Sequence, residues 1–349
     1  MLMRPTLTLP PLTQFTLLRL SLYSRTMIST LRPRRRDSPA MSTSSTLASS
    51  VPVPRPSASL VVINSRNEIL LVHRNPKARS FGGMTVFPGG NYDQKQDSSL
   101  AITAIRETFE ESGLLLASSD GASSGLSLAD AELDDARHSI HQQKLFFQDF
   151  LKSNSLNADT DALLPFTQWI TPVGPPRRFH TQFFVAFLPA SPSAGFVSGA
   201  KQERIPKPDG GQEVISARFV HPNEALCEFR EGKITFMPPQ FYILTTLCDI
   251  LKGSRNTDEQ RAQVEKLSRG AFGRMVINPR PRKPEGDDLI KGYSILTYEG
   301  DETRGGSKGR LHRAKLRMVN GAIKEIILQR NFDIFRDIES QLFQTTSKL

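Results

Sequence analysis

The sequence predicts an α/β fold with a helical insertion and a β-rich C-terminal extension. Short apolar, β-branched runs bounded by turn residues alternate with helical patterns between residues 58 and 250. Leu100 to Ser112 places Ile102, Ile105 and Phe109 at helical spacing and stops at Gly113. After Arg269 the chain turns to strand-like runs, the last of them folded around Asn320-Gly321, a strong hairpin signal.

The elements follow in order. Residues 1–56 form a basic tail rich in Ser and Arg. Arg4, Arg19, Arg25, Arg32, Arg34, Arg35 and Arg36 stand there against the single acid Asp37. The composition is that of a mitochondrial presequence or of a plain disordered tail with Met27 or Met41 as alternative starts. "SLVVIN" and "EILLVHR", parted by Ser65-Arg66-Asn67, read as a hairpin, and "MTVF" as a short strand halted by Pro88-Gly89-Gly90. Residues 118–134 read as a loop and Ala136 to Asn154 as one helix, so residues 117–160 are the expected insertion. "FTQWITP", "RFHTQFFVAFLP" and "EVISARFVHP" read as strands, followed by helices from Pro222 and from Pro238-Pro239. "GRMVINPR", "GYSILTY" and "HRAKLRMVNGAIKEIILQR" make the extension β-rich. The expected domains are 57–253 for the main body and 254–346 for the extension.

Composition excludes several classes. In 349 residues, 38% are apolar and 23% charged, which suits a soluble body. The net charge of +10 sits mostly in the tail, so it does not argue for nucleic acid. No apolar run reaches the ~20 residues of a membrane span. Cys227 and Cys248 are too few for a disulfide framework and read as core thiols.

The chemistry centres on Glu107, Glu110 and Glu111, which share one helix face at i, i+3 and i+4. Carboxylates so close repel, and a hard divalent cation offsets that repulsion. An acidic, solvated helix face explains this stretch alone better, since Glu-rich helices are common. Context separates the two. A strand, Pro88-Gly89-Gly90, a loop and then Arg106-Glu107-Thr108-Phe109-Glu110-Glu111-Ser112-Gly113-Leu114 resembles the signature of Nudix hydrolases. Tyr92 stands where that family has its first Gly, Ser98 where it has its first Glu, and Thr108 replaces an aliphatic residue. Asp97, one position from the missing Glu, is the candidate substitute.

The resemblance implies an α/β/α sandwich, a mixed sheet between helices, and hydrolysis of a diphosphate with Mg²⁺ or Mn²⁺. It implies that Glu107 is base or metal ligand, that Glu110 and Glu111 are the main ligands, and that Arg106 orients the carboxylates. Gly89 and Gly90 would allow close backbone approach. Glu213, after the Asp209-Gly210-Gly211 turn, is a further candidate ligand or base, with a plain exposed Glu as its alternative. Arg178, His180 and Gln182 share one strand face, turned to substrate or to solvent.

Upstream, "LLVHRNPKARSFGGMTVFPGG" looks like the motif that coenzyme A diphosphatases of the superfamily place before their signature. Leu70, Leu71, Arg74, Arg79, Gly83, Phe87, Pro88, Gly89 and Gly90 fall at matching spacings. Arg74, Lys77 and Arg79 form a basic cluster suited to phosphate oxygens, or else a solvated basic loop. Ser347-Lys348-Leu349 reads as a peroxisomal address for an import receptor. The expected substrate is coenzyme A or acyl-coenzyme A and the expected place the peroxisome, with the mitochondrion as alternative. NADH or ADP-ribose is the rival substrate, and a catalytically silent binding module the rival of a different class.

Overall fold

Strand alternation and two-sided burial set the architecture. β1 (Arg55–Ile63) pairs antiparallel with β2 (Ile69–Arg74) through Ile63 and Ile69. Val61 and Ile63 enter one hydrophobic cluster, whereas Ala58, Leu60 and Val62 enter another. Both faces are buried, which is why these runs read as continuously apolar. The computed structural model describes residues 51–78, 80–119, 128–188, 208, 209, 211 and 213–336. All of them lie in one unit that begins at Ser50.

β3 (Thr85–Val86) pairs with β2, and β4 (Gly89–Asn91) with β1. α1 (Leu100–Ser112) is capped by the Ser99 hydroxyl, which accepts from the Ile102 N–H. It ends at Gly113, whose φ of 74° suits a residue without a Cβ. β5 (Ala117–Ser119), α2 (Asp130–His141), α3 (Phe147–Ser153) and β6 (Leu156–Ala158) follow. The single helix expected from Ala136 to Asn154 is therefore two. The break is a tight turn in which Gln143 has φ 57° and the Lys144 N–H donates to Ser139 O.

β7 (Leu164–Ile170) is antiparallel to β8 (Phe179–Phe187), which runs parallel to β1. A bulge between Pro165 and Gln168 adds a residue, so Phe166 and Trp169 both join the first cluster. Thr167 in the bulge takes φ 78°, a costly conformation for a β-branched residue. β9 (Val214–Val220) pairs with β2. α4 (Pro222–Arg230), α5 (Pro238–Ile250), α6 (Asp258–Arg269) and α7 (Ala271–Arg274) lead to β10 (Val276–Ile277), parallel to β7. The large mixed sheet thus runs β10-β7-β8-β1-β2-β3, with β4 on β1 and β9 on β2. Residues of α1, α2 and α3 cover one face and residues of α4 to α7 the other, so the expected α/β/α sandwich is present.

The C-terminal sheet is a separate antiparallel one. β11 (Arg280–Arg282) precedes the single turn α8 (Asp287–Ile290); β12 (Tyr293–Thr297), β13 (His312–Val319) and β14 (Ala322–Arg330) complete it in sequence order. The β13–β14 turn is Asn320-Gly321, with φ 50° and 77°, as a two-residue hairpin demands. One expectation is revised here. The segment after residue 253 is not wholly an extension, because α6, α7 and β10 complete the main sandwich. Val264, Leu267, Phe272 and Ile277 pack into the same cluster as Tyr298, Leu316 and Ile326.

Cys227 and Cys248 are free. Among the described residues no helix is long and apolar enough to cross a membrane.

Candidate active site

Arg106 organises the face of α1. Its side chain is 4% exposed. Nε donates to Asp97 Oδ1 at 2.8 Å and Nη2 to Asp97 Oδ2 at 2.8 Å. Nη1 donates to Glu107 Oε1 at 2.9 Å and to Glu110 Oε1 at 2.8 Å, and Nη2 also reaches Asn91 O. One guanidinium thus ties the loop before the helix to two carboxylates on it.

Asp97 is the residue expected to substitute for the missing Glu. It is buried and absent from the lining of the carboxylate cavity, while Ser98 faces out. Besides Arg106, its Oδ2 accepts from Thr103 Oγ1 and from the Asp93 N–H, both at 2.9 Å. In this structure it anchors Arg106.

Glu111 lies beside β2. Arg74 Nη1 donates to its Oε1 at 2.5 Å and the Gly89 N–H to its Oε2 at 3.0 Å. Arg74 Nη2 donates to Glu213 Oε2 at 2.7 Å. Arg74, expected to grip phosphate, is here paired with two acids. Its Nε is buried and has no partner among the described residues. Asp209 holds Glu213 in place by accepting its N–H at 2.8 Å. Gly89 and Gly90 are required by close approach. A Cβ on Gly89 would meet Ala58 O at 2.4 Å, and one on Gly90 would meet the Glu107 carboxylate at 2.4 Å.

Burial pushes the Glu111 carboxyl up to about 8, with Arg74 opposing and Glu107 adding to the rise. Burial also raises Glu107, against Arg106 and with Glu110. Negative charge here exceeds what two arginines compensate. Among the described residues no three acid, His or Cys side chains converge as a ready cation site, because the arginines hold carboxylate oxygens.

Sequence reasoning missed His141. This residue of the insertion helix α2 donates from Nδ1 to Glu110 Oε2 at 3.3 Å, and that bond raises its pKa. Arg137, one turn earlier, donates from Nε to Glu110 O at 2.8 Å. Neither contact has a local signal, since both partners lie about thirty residues away along the chain. Lys77 is exposed and outside the cavity lining. The strand face of Arg178, His180 and Gln182 is turned away, since β8 presents Phe179, Thr181 and Phe183 to the cavity. His180 instead meets Gln168 Oε1 at 2.7 Å, and Arg178 donates to Thr171 O and Pro52 O. Arg79 and Ser347-Lys348-Leu349 lie outside the described residues.

Glu107, Glu110, Glu111, Glu213 and Arg74 thus line one end of a cavity of about 1140 Å³, next to the Gly89-Gly90 backbone. Residues 95–247 match the family described as the NUDT19 Nudix domain. That match places a Nudix domain on residues 95–247. It is 28% identical to the acyl-coenzyme A diphosphatase NUDT19 of Xenopus laevis over 239 residues, 52% of this chain and 60% of that one. It is 31% identical to the Homo sapiens protein of the same name over 163 residues, 44% of this chain and 40% of that one. The chain therefore spans less than two thirds of these relatives. It is 27% identical to the putative nudix hydrolase 7 of Caenorhabditis elegans, over 68% of this chain and 71% of that one. A solved NUDIX hydrolase from Alicyclobacillus acidocaldarius is 25% identical with a TM-score of 0.47, over 56% of this chain and 92% of that one.

Proposed function

We propose that this chain hydrolyses the diphosphate linkage of coenzyme A or acyl-coenzyme A, giving 3′,5′-ADP and (acyl-)4′-phosphopantetheine. The observation that carries the reading is the carboxylate end of the cavity. Four glutamates meet there beside a glycine backbone, in a domain similar to that of acyl-coenzyme A diphosphatases.

The donor chemistry suits a divalent cation, which would take the carboxylate oxygens now held by Arg74 and Arg106. All the donor atoms are hard carboxylate oxygens, and four glutamates stand there beside only two arginines. Glu107, Glu110 and Glu111 would hold Mg²⁺ or Mn²⁺, with Glu213 at the rim. When bound, the metal supplies Lewis-acid polarisation of the diphosphate and a more acidic water.

The protein's own groups do the rest. Arg106, anchored by Asp97, fixes Glu107 and Glu110. Glu107 Oε1 is taken by Arg106, which leaves Oε2 to receive a proton. Water adds across the P–O–P bridge: its oxygen bonds to one phosphorus and the bridging oxygen leaves on the other. Arg74 Nε is a spare donor for a phosphate oxygen. Lys77 and Arg79 remain part of this reading as outer phosphate contacts. The hydrolase domain is taken as residues 57–253 completed by α6, α7 and β10.

The test is incubation of the full chain with coenzyme A, acyl-coenzyme A, NADH and ADP-ribose plus Mg²⁺ or Mn²⁺, with products identified by mass spectrometry. Release of 3′,5′-ADP supports the reading. Turnover of NADH or ADP-ribose alone moves the same chemistry to another diphosphate, and no turnover leaves a binding module. The peroxisomal-matrix part of the proposal depends on Ser347-Lys348-Leu349 acting as a free C-terminus. Imaging an internally tagged chain with and without these three residues tests it.

A further inference from the structure

The carboxylate end is only part of the cavity. Leu296 of β12, Leu316 and Met318 of β13 and Ile323 of β14 line the same space, so the C-terminal sheet supplies one of its walls. Two buried polar atoms on residues lining the cavity have no hydrogen-bond partner among the described residues: the donor Trp169 Nε1 and the acceptor Gln240 Oε1. Trp169 is 3% exposed and Gln240 8%. Buried polar groups without partners are rare, and each one calls for an explanation.

Trp169 is held in place at some cost. Its ring packs edge-on against Tyr242 and Tyr298, with centroids 5.5 and 5.3 Å away. The bulge before it keeps Thr167 at φ 78°, and the main-chain oxygen of Met275 accepts both from Thr167 Oγ1 at 3.0 Å and from the Gln168 N–H at 2.8 Å. The residues leading into β10 therefore fix the strained backbone that carries the indole.

We propose that this second end is the seat of the substrate's pantetheine arm, built by the C-terminal segment. The proposal rests on the coenzyme A reading above. Both atoms are covered in this structure, so a small side-chain shift on binding would bring them to the N–H and C=O of a secondary amide, the complement of an orphaned acceptor and an orphaned donor. The arm carries two such amides between short methylene runs, which suit a wall of Leu296, Leu316 and Ile323. An acyl group extends that apolar contact along Met318. The diphosphate then lies at the carboxylate end of the same cavity, so one continuous space serves both parts of the molecule.

The experiment uses the full chain and three variants: Trp169→Phe, which keeps the ring and removes the N–H; Gln240→Met; and Met318→Asp, at a position 54% exposed where folding tolerates a charge. Thermal melts confirm that each is folded. For Trp169→Phe and Gln240→Met the KM for coenzyme A should rise about 5- to 10-fold, with kcat within about twofold. Met318→Asp should raise KM for a medium-chain acyl-coenzyme A more than for coenzyme A. Inhibition by 3′,5′-ADP, which lacks the arm, should be unchanged in all three. Unchanged KM values, or an equal weakening of 3′,5′-ADP, would overturn the arm site while leaving the diphosphatase reading standing. If the wild-type chain does not hydrolyse coenzyme A, the underlying reading fails, and the arm site with it.

Discussion

Asp97→Asn, studied in excess chelator, separates an anchoring carboxylate from a metal ligand. Asp97 Oδ1 accepts from Arg106 Nε, and Oδ2 accepts from Arg106 Nη2, Thr103 Oγ1 and the Asp93 N–H. An asparagine keeps one oxygen, and its NH₂ must then face at least one donor at 2.8 Å. Both side chains are at most 4% exposed, so water does not repair the loss. Removing one partner of a buried ion pair costs about 3–5 kcal/mol. Arg106 keeps Glu107 and Glu110 at 2.9 and 2.8 Å, which puts the expected loss at the lower end, about 3 kcal/mol. Urea unfolding in EDTA measures it, read from the fluorescence of Trp169, the chain's single tryptophan. A metal ligand studied without metal contributes only repulsion to the folded state, so its removal should stabilise. If the variant matches or exceeds the wild type in EDTA, the anchoring role assigned to Asp97 is wrong.

Three further outcomes are expected. Glu111→Gln should lower turnover at least about 100-fold in a chain that still folds, because it removes a proposed ligand charge and keeps the shape; near-wild-type rates at low Mg²⁺ would remove Glu111 from the metal site. Burial holds His312 down to about 4 against an ordinary 6.5, so the unfolded chain takes a proton between these values that the native state refuses, and stability falls with pH there. The advantage of the wild type over His312→Asn should shrink by about 2 kcal/mol from pH 7 to pH 4.5, and taking this difference cancels Glu107 and Glu111, which titrate in the opposite sense. Gly113→Ala forces an alanine to φ 74° and should cost about 1 kcal/mol by urea unfolding; an unchanged midpoint would show that the helix end relaxes freely.

Much of this was legible in the sequence because it is local. Leu100–Ser112 matches α1 at both ends, since Ser99, the Ile102/Ile105/Phe109 stripe and Gly113 all act within a turn or two. The Asn320-Gly321 hairpin is local for the same reason. Helix α6 could have been found: Thr257 and Gln260 form a capping box, but its mostly polar surface hides the Val264/Leu267 stripe. The break at Gln143 follows from a backbone conformation that this residue does not advertise. The role of Asp97 depended on which of two neighbours faces inward, and the one-residue shift from Ser98 decided it. His141 against Glu110 and Leu316 in the cavity wall are tertiary facts, invisible to any window along the chain.

The parallel pairing of β7 with β10 joins Gln168 and Trp169 to Val276 and Ile277. A ribosome makes the glutamates of α1 long before it makes β10. Until residues near 276 emerge, the strand carrying Trp169 has an open edge, and Phe166 lacks the ring of Phe272 that packs 4.8 Å from it. The carboxylate cluster can therefore form early, whereas the cavity beside it closes only when β14 arrives. During synthesis the unpaired edge and its apolar face are the part of this chain most in need of a chaperone.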